Sequence, residues 1–193
     1  MNSKSELVIK KLLAEVATSQ EGDLALPLRK LLWNTITDGE TPAKTRIILT
    51  ELDVLCVKQG LDFWKKKFGD AKDLDYILNI ALEAAHETFD EEKANSIRDR
   101  FYVSIVEDQQ YEPEEYPAMF VGHAAANAIL TATVDFQFDP DDHDKDCDSD
   151  PEAFESSYLI ASAFAGGLDR KGNPKLRRNF WEWYLTIAVP KVV

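Results

Sequence analysis

The sequence predicts an all-α fold, a single-domain bundle of about eight helices spanning residues 1–193 around a buried Ala-rich helix at 118–134. Three observations carry this. The run Ala118 to Val134, AMFVGHAAANAILTATV, holds no charge and is apolar all round, as a buried helix must be. Most of the remaining chain divides into stretches with helical apolar spacing, separated by short turn-rich breaks. Only TVDFQF, Thr133 to Phe138, alternates like a strand, and a lone strand has nothing to pair with.

Within the central helix, Ala118, Gly122 and Ala126 recur at i, i+4 and i+8. This ridge has almost no side chain and lets a neighbouring helix approach closely. His123, Asn127 and Thr131 form a polar stripe. That stripe and the acidic flanks argue against a membrane span, which the length alone would nearly allow.

The other elements follow in order. Residues 5–18 form an amphipathic helix with Ser5 as its cap and Leu7, Ile9, Leu12, Leu13 and Val16 as its stripe. Pro27 opens a second helix carrying Leu28, Leu31, Leu32, Trp33 and Ile36. Thr41 and Pro42 start a long third helix with Ile47, Ile48, Leu52, Leu55, Cys56 and Leu61 inward; Gly60 weakens or kinks it, and Gly69 closes the segment beyond. Residues 71–86 and 90–106 give two more helices. The prolines of YEPEEYP block continuation ahead of the central helix. After it, Asp150-Pro151-Glu152 reads as the capped start of a helix carrying Phe154, Tyr158, Leu159, Ala161 and Phe164, which stops at Gly166-Gly167. Asn173-Pro174 starts the last helix, with Leu176, Phe180, Trp183 and Ile187 on one face; Trp181 and Leu185 extend the apolar surface sideways.

The net charge is −13, from 35 acids and 22 bases. Two stretches account for all of it. Asp139 to Glu155 holds nine acids and one base, and Glu107 to Glu115 holds five acids and none. A central helix about 25 Å long sets these stretches at its opposite ends. Nucleic acid is a poor partner, because neutralising phosphates requires basic patches. A basic protein or a cation is the complement. The charged N-terminus is no signal peptide, and Cys56 and Cys147 are isolated thiols that fit a reducing compartment, so the expected location is cytoplasmic.

Few residue constellations suggest chemistry. Asp144, Asp146, Asp148, Asp150, Glu152 and Glu155 match the spacing of a twelve-residue calcium loop. Ser149 stands where that loop needs Gly, Pro151 stands where it needs a hydrophobic residue, and there is no second loop. A solvated acidic loop is the plainer reading. Glu83 and His86 form half of a di-iron carboxylate motif, but Phe120 occupies the position the other half needs beside His123. His123 is better read as bonded to Asn127, Thr131 or a carbonyl in the core. No nucleophile, phosphate-loop or dinucleotide motif occurs, and no cofactor is expected. The basic residues Arg170, Lys171, Lys175, Arg177 and Arg178 lie near a helix start, where the dipole disfavours them; carboxylates elsewhere are expected to hold them, with Arg178 pairing Glu182 one turn on. Trp181 and Trp183 fit either core or a dimer face, which leaves the oligomeric state open.

The GHAAANA helix, the DPDD loop, FESSYLIASAFAGG and the closing RRNFWEWYLTIAVP together resemble the all-helical immunity proteins encoded beside toxin genes in bacterial polymorphic toxin systems, most closely the fifth numbered family. LDFWKKKFGD through LNIALEAAHETF is similar to that family too, so the resemblance runs from about residue 45. Its motif residues here are His123, Arg177, Arg178, Trp181, Glu182 and Trp183. The long acidic loop departs from the pattern in length and charge. The resemblance implies a protein that is not an enzyme and binds and neutralises a cognate toxin. The acidity points to contact through Glu112, Glu114, Glu115, Asp141, Asp142, Asp144, Asp146, Asp148 and Asp150, with a basic nuclease-type domain as the natural partner.

Overall fold

The structure, a computed structural model, describes residues 3–169 and 171–193. Arg170 of the basic run lies outside the described residues. The helices are α1 (Ser3–Thr18), α2 (Leu26–Ile36), α3 (Pro42–Gln59), α4 (Leu61–Phe68), α5 (Lys72–Ala85), α6 (Glu91–Tyr102), α7 (Tyr116–Thr133), α8 (Ser156–Ala165), α9 (Pro174–Trp183) and α10 (Val189–Val192). Among the described residues there is no strand, and no helix is long and apolar enough to cross a membrane. The chain of TVDFQF runs free of any sheet after α7 ends.

Helix α7 is the axis. It packs against α3, α4, α5, α6 and α8. Every residue from Phe120 to Ile129 is buried, so the helix is enclosed on all sides. The small ridge performs as its spacing suggests. A Cβ on Gly122 would lie 2.5 Å from Ile105 Cγ2 and 2.9 Å from Trp64 Cζ3, so only glycine admits both neighbours. Local signals set most boundaries. Thr41, Asp90 and Asn173 cap α3, α6 and α9 through their side-chain oxygens. Gly166, at φ 79°, ends α8 in the left-handed conformation.

Four sequence expectations are corrected. First, α1 begins at Ser3, so Ser5 is buried inside its first turn and does not cap it. Second, Asp150 caps only a short 3-10 turn, Pro151–Ala153; α8 starts later, with the Glu155 side chain accepting from Ser157 N at 3.2 Å. Third, the inward face of α2 is Leu26, Arg29, Leu32, Thr35 and Ile36, and Leu31 is exposed. Fourth, the inward face of the last helix is Arg177, Phe180, Trp181, Tyr184, Leu185 and Ala188. Leu176 and Ile187 point outward and Trp183 is half-buried. Tyr184–Ala188 form a π-helical turn, and the buried stripe runs on through it. Trp181, fully buried, belongs to the core.

Candidate functional site

The second acidic stretch does not hang off the far end of α7. After Val134 the chain turns back, and its end docks on the polar stripe at mid-helix. Asn127 Nδ2 donates to the carbonyls of Glu152 (2.8 Å) and Phe154 (2.7 Å). His123 Nε2 lies 3.4 Å from the Glu152 carbonyl, and Ser156 Oγ donates to Ala124 O at 2.9 Å. Arg98 Nη2 donates to Asn127 Oδ1 and to Glu152 O, closing the network from α6. The stripe thus supplies partners for the backbone carbonyls of the docked segment. Burial, with the Arg98 charge adding to it, holds His123 down at about 4, so it is neutral at pH 7.

A second anchor comes from α2. Arg29 is fully buried and ion-paired to Asp146 and Glu155. Its Nη1 donates to Leu24 O at 2.9 Å, and its guanidinium lies 5.5 Å from the Tyr158 ring centroid and 5.3 Å from that of Trp181. Burial alone would lower its pKa; Glu155 and Asp146 outweigh that and keep it charged. Burial in turn pushes both carboxyls up, against the pull of Arg29. Next to it, Lys30 pairs with Asp142.

The loop acids therefore divide by role. Asp142, Asp146 and Glu155 turn inward to Lys30 and Arg29. Asp139, Asp141, Asp144, Asp148, Asp150 and Glu152 are exposed, and among the described residues no cation pairs with any of them. Of the calcium-loop positions, Asp146 and Glu155 face a guanidinium and not the loop centre. Glu83 and His86 are exposed at the end of α5. Among the described residues no three His, Cys, Asp or Glu side chains are grouped to hold a metal. In the first acidic stretch, Glu112 and Glu114 are exposed, while Glu115 accepts from Lys67 Nζ at 2.7 Å, which lowers its pKa.

The basic motif residues have another use than expected. Arg177 is buried and donates to the carbonyls of Glu21 (3.1 Å), Gly167 (2.7 Å) and Lys171 (2.6 Å). Arg178 donates to Val16 O and Ser19 O at the end of α1. Backbone carbonyls hold both, not carboxylates, and Arg178 is turned away from Glu182, which is exposed. These arginines satisfy the unpaired carbonyls at the C-terminal end of α1 and in the turns beside it. Trp181 Nε1 donates to Asp23 Oδ1 at 3.0 Å, fixing the same corner.

Sequence reasoning missed Arg29 and Asp53. Each is the one charge on an inward stripe: Leu26, Arg29, Leu32 in α2 and Leu49, Leu52, Asp53, Cys56 in α3. That spacing was the available signal. Asp53 accepts from Thr131 Oγ1 at 2.7 Å, and burial pushes it up to about 7. It lines a cleft of about 370 Å³ between α2, α3, the end of α7 and the returning loop.

Fold and site together define an all-α bundle whose most built surface feature is an acidic loop clamped by buried arginine and by the polar stripe of its central helix. A family model described as Immunity protein Imm5 matches residues 9–191, and the chain belongs to that family of immunity proteins. No curated protein matches the chain.

Proposed function

We propose that this protein binds a cognate toxin of a polymorphic toxin system and neutralises it in the cytoplasm of the cell that makes both, with residues 139–155 as the principal contact. One observation carries the reading: the loop spends three acids on holding itself against the body and directs six outward. A loop kept only for solubility needs no buried clamp. A fixed array of carboxylates loses little conformational freedom on binding and steers a basic partner toward it. A basic nuclease-type domain is the partner this charge fits, and inhibition requires only that its active site be covered; the protein performs no catalysis. Glu112 and Glu114 extend the acidic surface, and the exposed Glu182 is a smaller candidate contact.

The test is co-expression with the product of the adjacent gene. Wild type should restore growth and co-purify with it. Changing Asp141, Asp144, Asp148 and Asp150 together to Asn should slow association at least tenfold at low salt and leave the melting temperature nearly unchanged. Unchanged association would remove the loop from the interface and leave immunity standing. A harmless neighbour, or one that forms no complex, counts against the toxin reading itself.

A further inference from the structure

The cleft beside the acidic loop is apolar over most of its wall, with Trp33, Leu49, Leu130, Phe136 and Phe154 among its lining residues. Trp33 and Phe136 meet edge to face with ring centroids 5.9 Å apart, and Trp33 Nε1 is fixed by the Tyr184 hydroxyl at 2.8 Å. These two contacts hold the Trp33 ring in place. At its floor stands Asp53. Every other acid of the cleft has a cation: Asp146 and Glu155 share Arg29, and Asp135 takes Arg46 at 2.6 Å. Among the described residues none pairs with Asp53. Cys56, Glu155 and Tyr184 act on it without a positive charge, and the two cations lining the same cleft are engaged elsewhere, Lys30 with Asp142 and Arg46 with Asp135 and Glu87. A buried carboxyl that meets only the hydroxyls of Thr131 and Ser156 and no counter-charge is what a cationic visitor would complete.

Building on the toxin-binding reading, we propose that this cleft is the socket for one basic side chain of the toxin, its apolar stem against Trp33, Phe136 and Phe154 and its charged head at Asp53. Interfaces concentrate their affinity in such anchors, filled pockets near the centre of a polar surface, and arginine is prominent among them. The position suits the role. The loop that carries the outward acids also supplies Phe136 and Phe154, so steering and anchoring fall on one face. The aromatic walls add attraction for a guanidinium that a purely aliphatic pocket would lack.

Two probes test this: n-butylguanidinium alone, and the product of the adjacent gene. Two variants accompany them. Asp53→Asn keeps the size of the side chain and the Thr131 hydrogen bond but removes the charge. Val134→Trp blocks the mouth from a residue that is 54% exposed, so the core is untouched. In a nuclear magnetic resonance titration, n-butylguanidinium should move the Trp33 indole signal saturably in wild type. The effect should weaken about tenfold in Asp53→Asn and vanish in Val134→Trp. Affinity for the gene product should fall at least tenfold in both variants, with a melting temperature close to wild type in Val134→Trp and no lower than wild type in Asp53→Asn. A Trp33 signal unmoved by the guanidinium overturns the socket. So does wild-type affinity of both variants for the gene product, and in that case toxin binding stands. A wild-type protein that takes the guanidinium but not the gene product overturns the toxin reading and, with it, the occupant proposed here.

Discussion

Asp53 and His123 are buried titratable groups whose effects on stability run in opposite directions with pH. Asp53 is raised to about 7, so between pH 4 and 7 the folded chain holds a proton there that the unfolded chain has released. Stability from this group is full below the unfolded pKa and is lost as pH rises toward 7. His123 is lowered to about 4, so between pH 4 and 6.5 the unfolded chain holds the extra proton, and stability rises with pH. Each slope approaches about 1.4 kcal/mol per pH unit, and the two largely cancel in wild type from pH 4.5 to 6.5. Urea unfolding across this window should therefore be nearly flat in wild type, rise with pH in Asp53→Asn, and fall with pH in His123→Gln. A flat profile in both variants would mean that neither group is held as the structure has it. That His123 would find a hydrogen-bond partner was legible in the sequence, with Asn127, Thr131 and a carbonyl all open to it; that the partner is the Glu152 carbonyl of the returning loop was not. Asp53 and Arg29 were not, because a charge on an apolar stripe reads as a solvated interruption until its partners, 78 residues away for Asp53 and 117 for Arg29, are brought to it.

Among the elements, α7 was the most readable and the last helix the least. The difference is physical. A helix buried on every side has no stripe to misplace, and its Ala118–Gly122–Ala126 ridge states directly where a neighbour comes close. A helix with one buried face depends on register, and the last helix carries apolar side chains in two registers, Leu176, Trp183 and Ile187 in one and Trp181, Tyr184 and Leu185 in the other. Arg177 then occupies an inward position that hydropathy assigns to Leu176, since its guanidinium serves three carbonyls there. Gly122 offers the sharpest test at this scale. Gly122→Ala improves helix propensity by about 1 kcal/mol, yet it drives a methyl into Ile105 and Trp64, which costs about 1–3 kcal/mol. The net change should be destabilising by roughly 1 kcal/mol in chemical denaturation. Adding Ile105→Ala should cost less in the Gly122→Ala background than in wild type, because it vacates the space the new methyl needs. Strict additivity would show that the two side chains do not meet.

Over the whole molecule, the distribution of charge was plain from the sequence, but its division into anchoring and outward acids was not, since that depends on which cations the fold carries beneath the loop. Arg29 is where this division is decided. It joins α2 to the loop, to Tyr158 of α8 and to Trp181 of α9. Replacing it with Met preserves bulk and removes the charge, leaving Asp146 and Glu155 buried without a counter-ion. Breaking a buried pair in this way costs about 3–5 kcal/mol. Because the penalty belongs to two ionised carboxyls, protonation relieves it: removing Arg29 raises both pKa values further, and the loss should be largest at pH 8 and much smaller at pH 4.5. Limited proteolysis should report the same event in space, with cleavage appearing first between Asp139 and Glu155 at pH 8. A penalty equal at both pH values would mean that Arg29 stabilises by packing alone. A variant destabilised at pH 8 yet protected in this segment would mean that the clamp holds the helices together and not the loop to them.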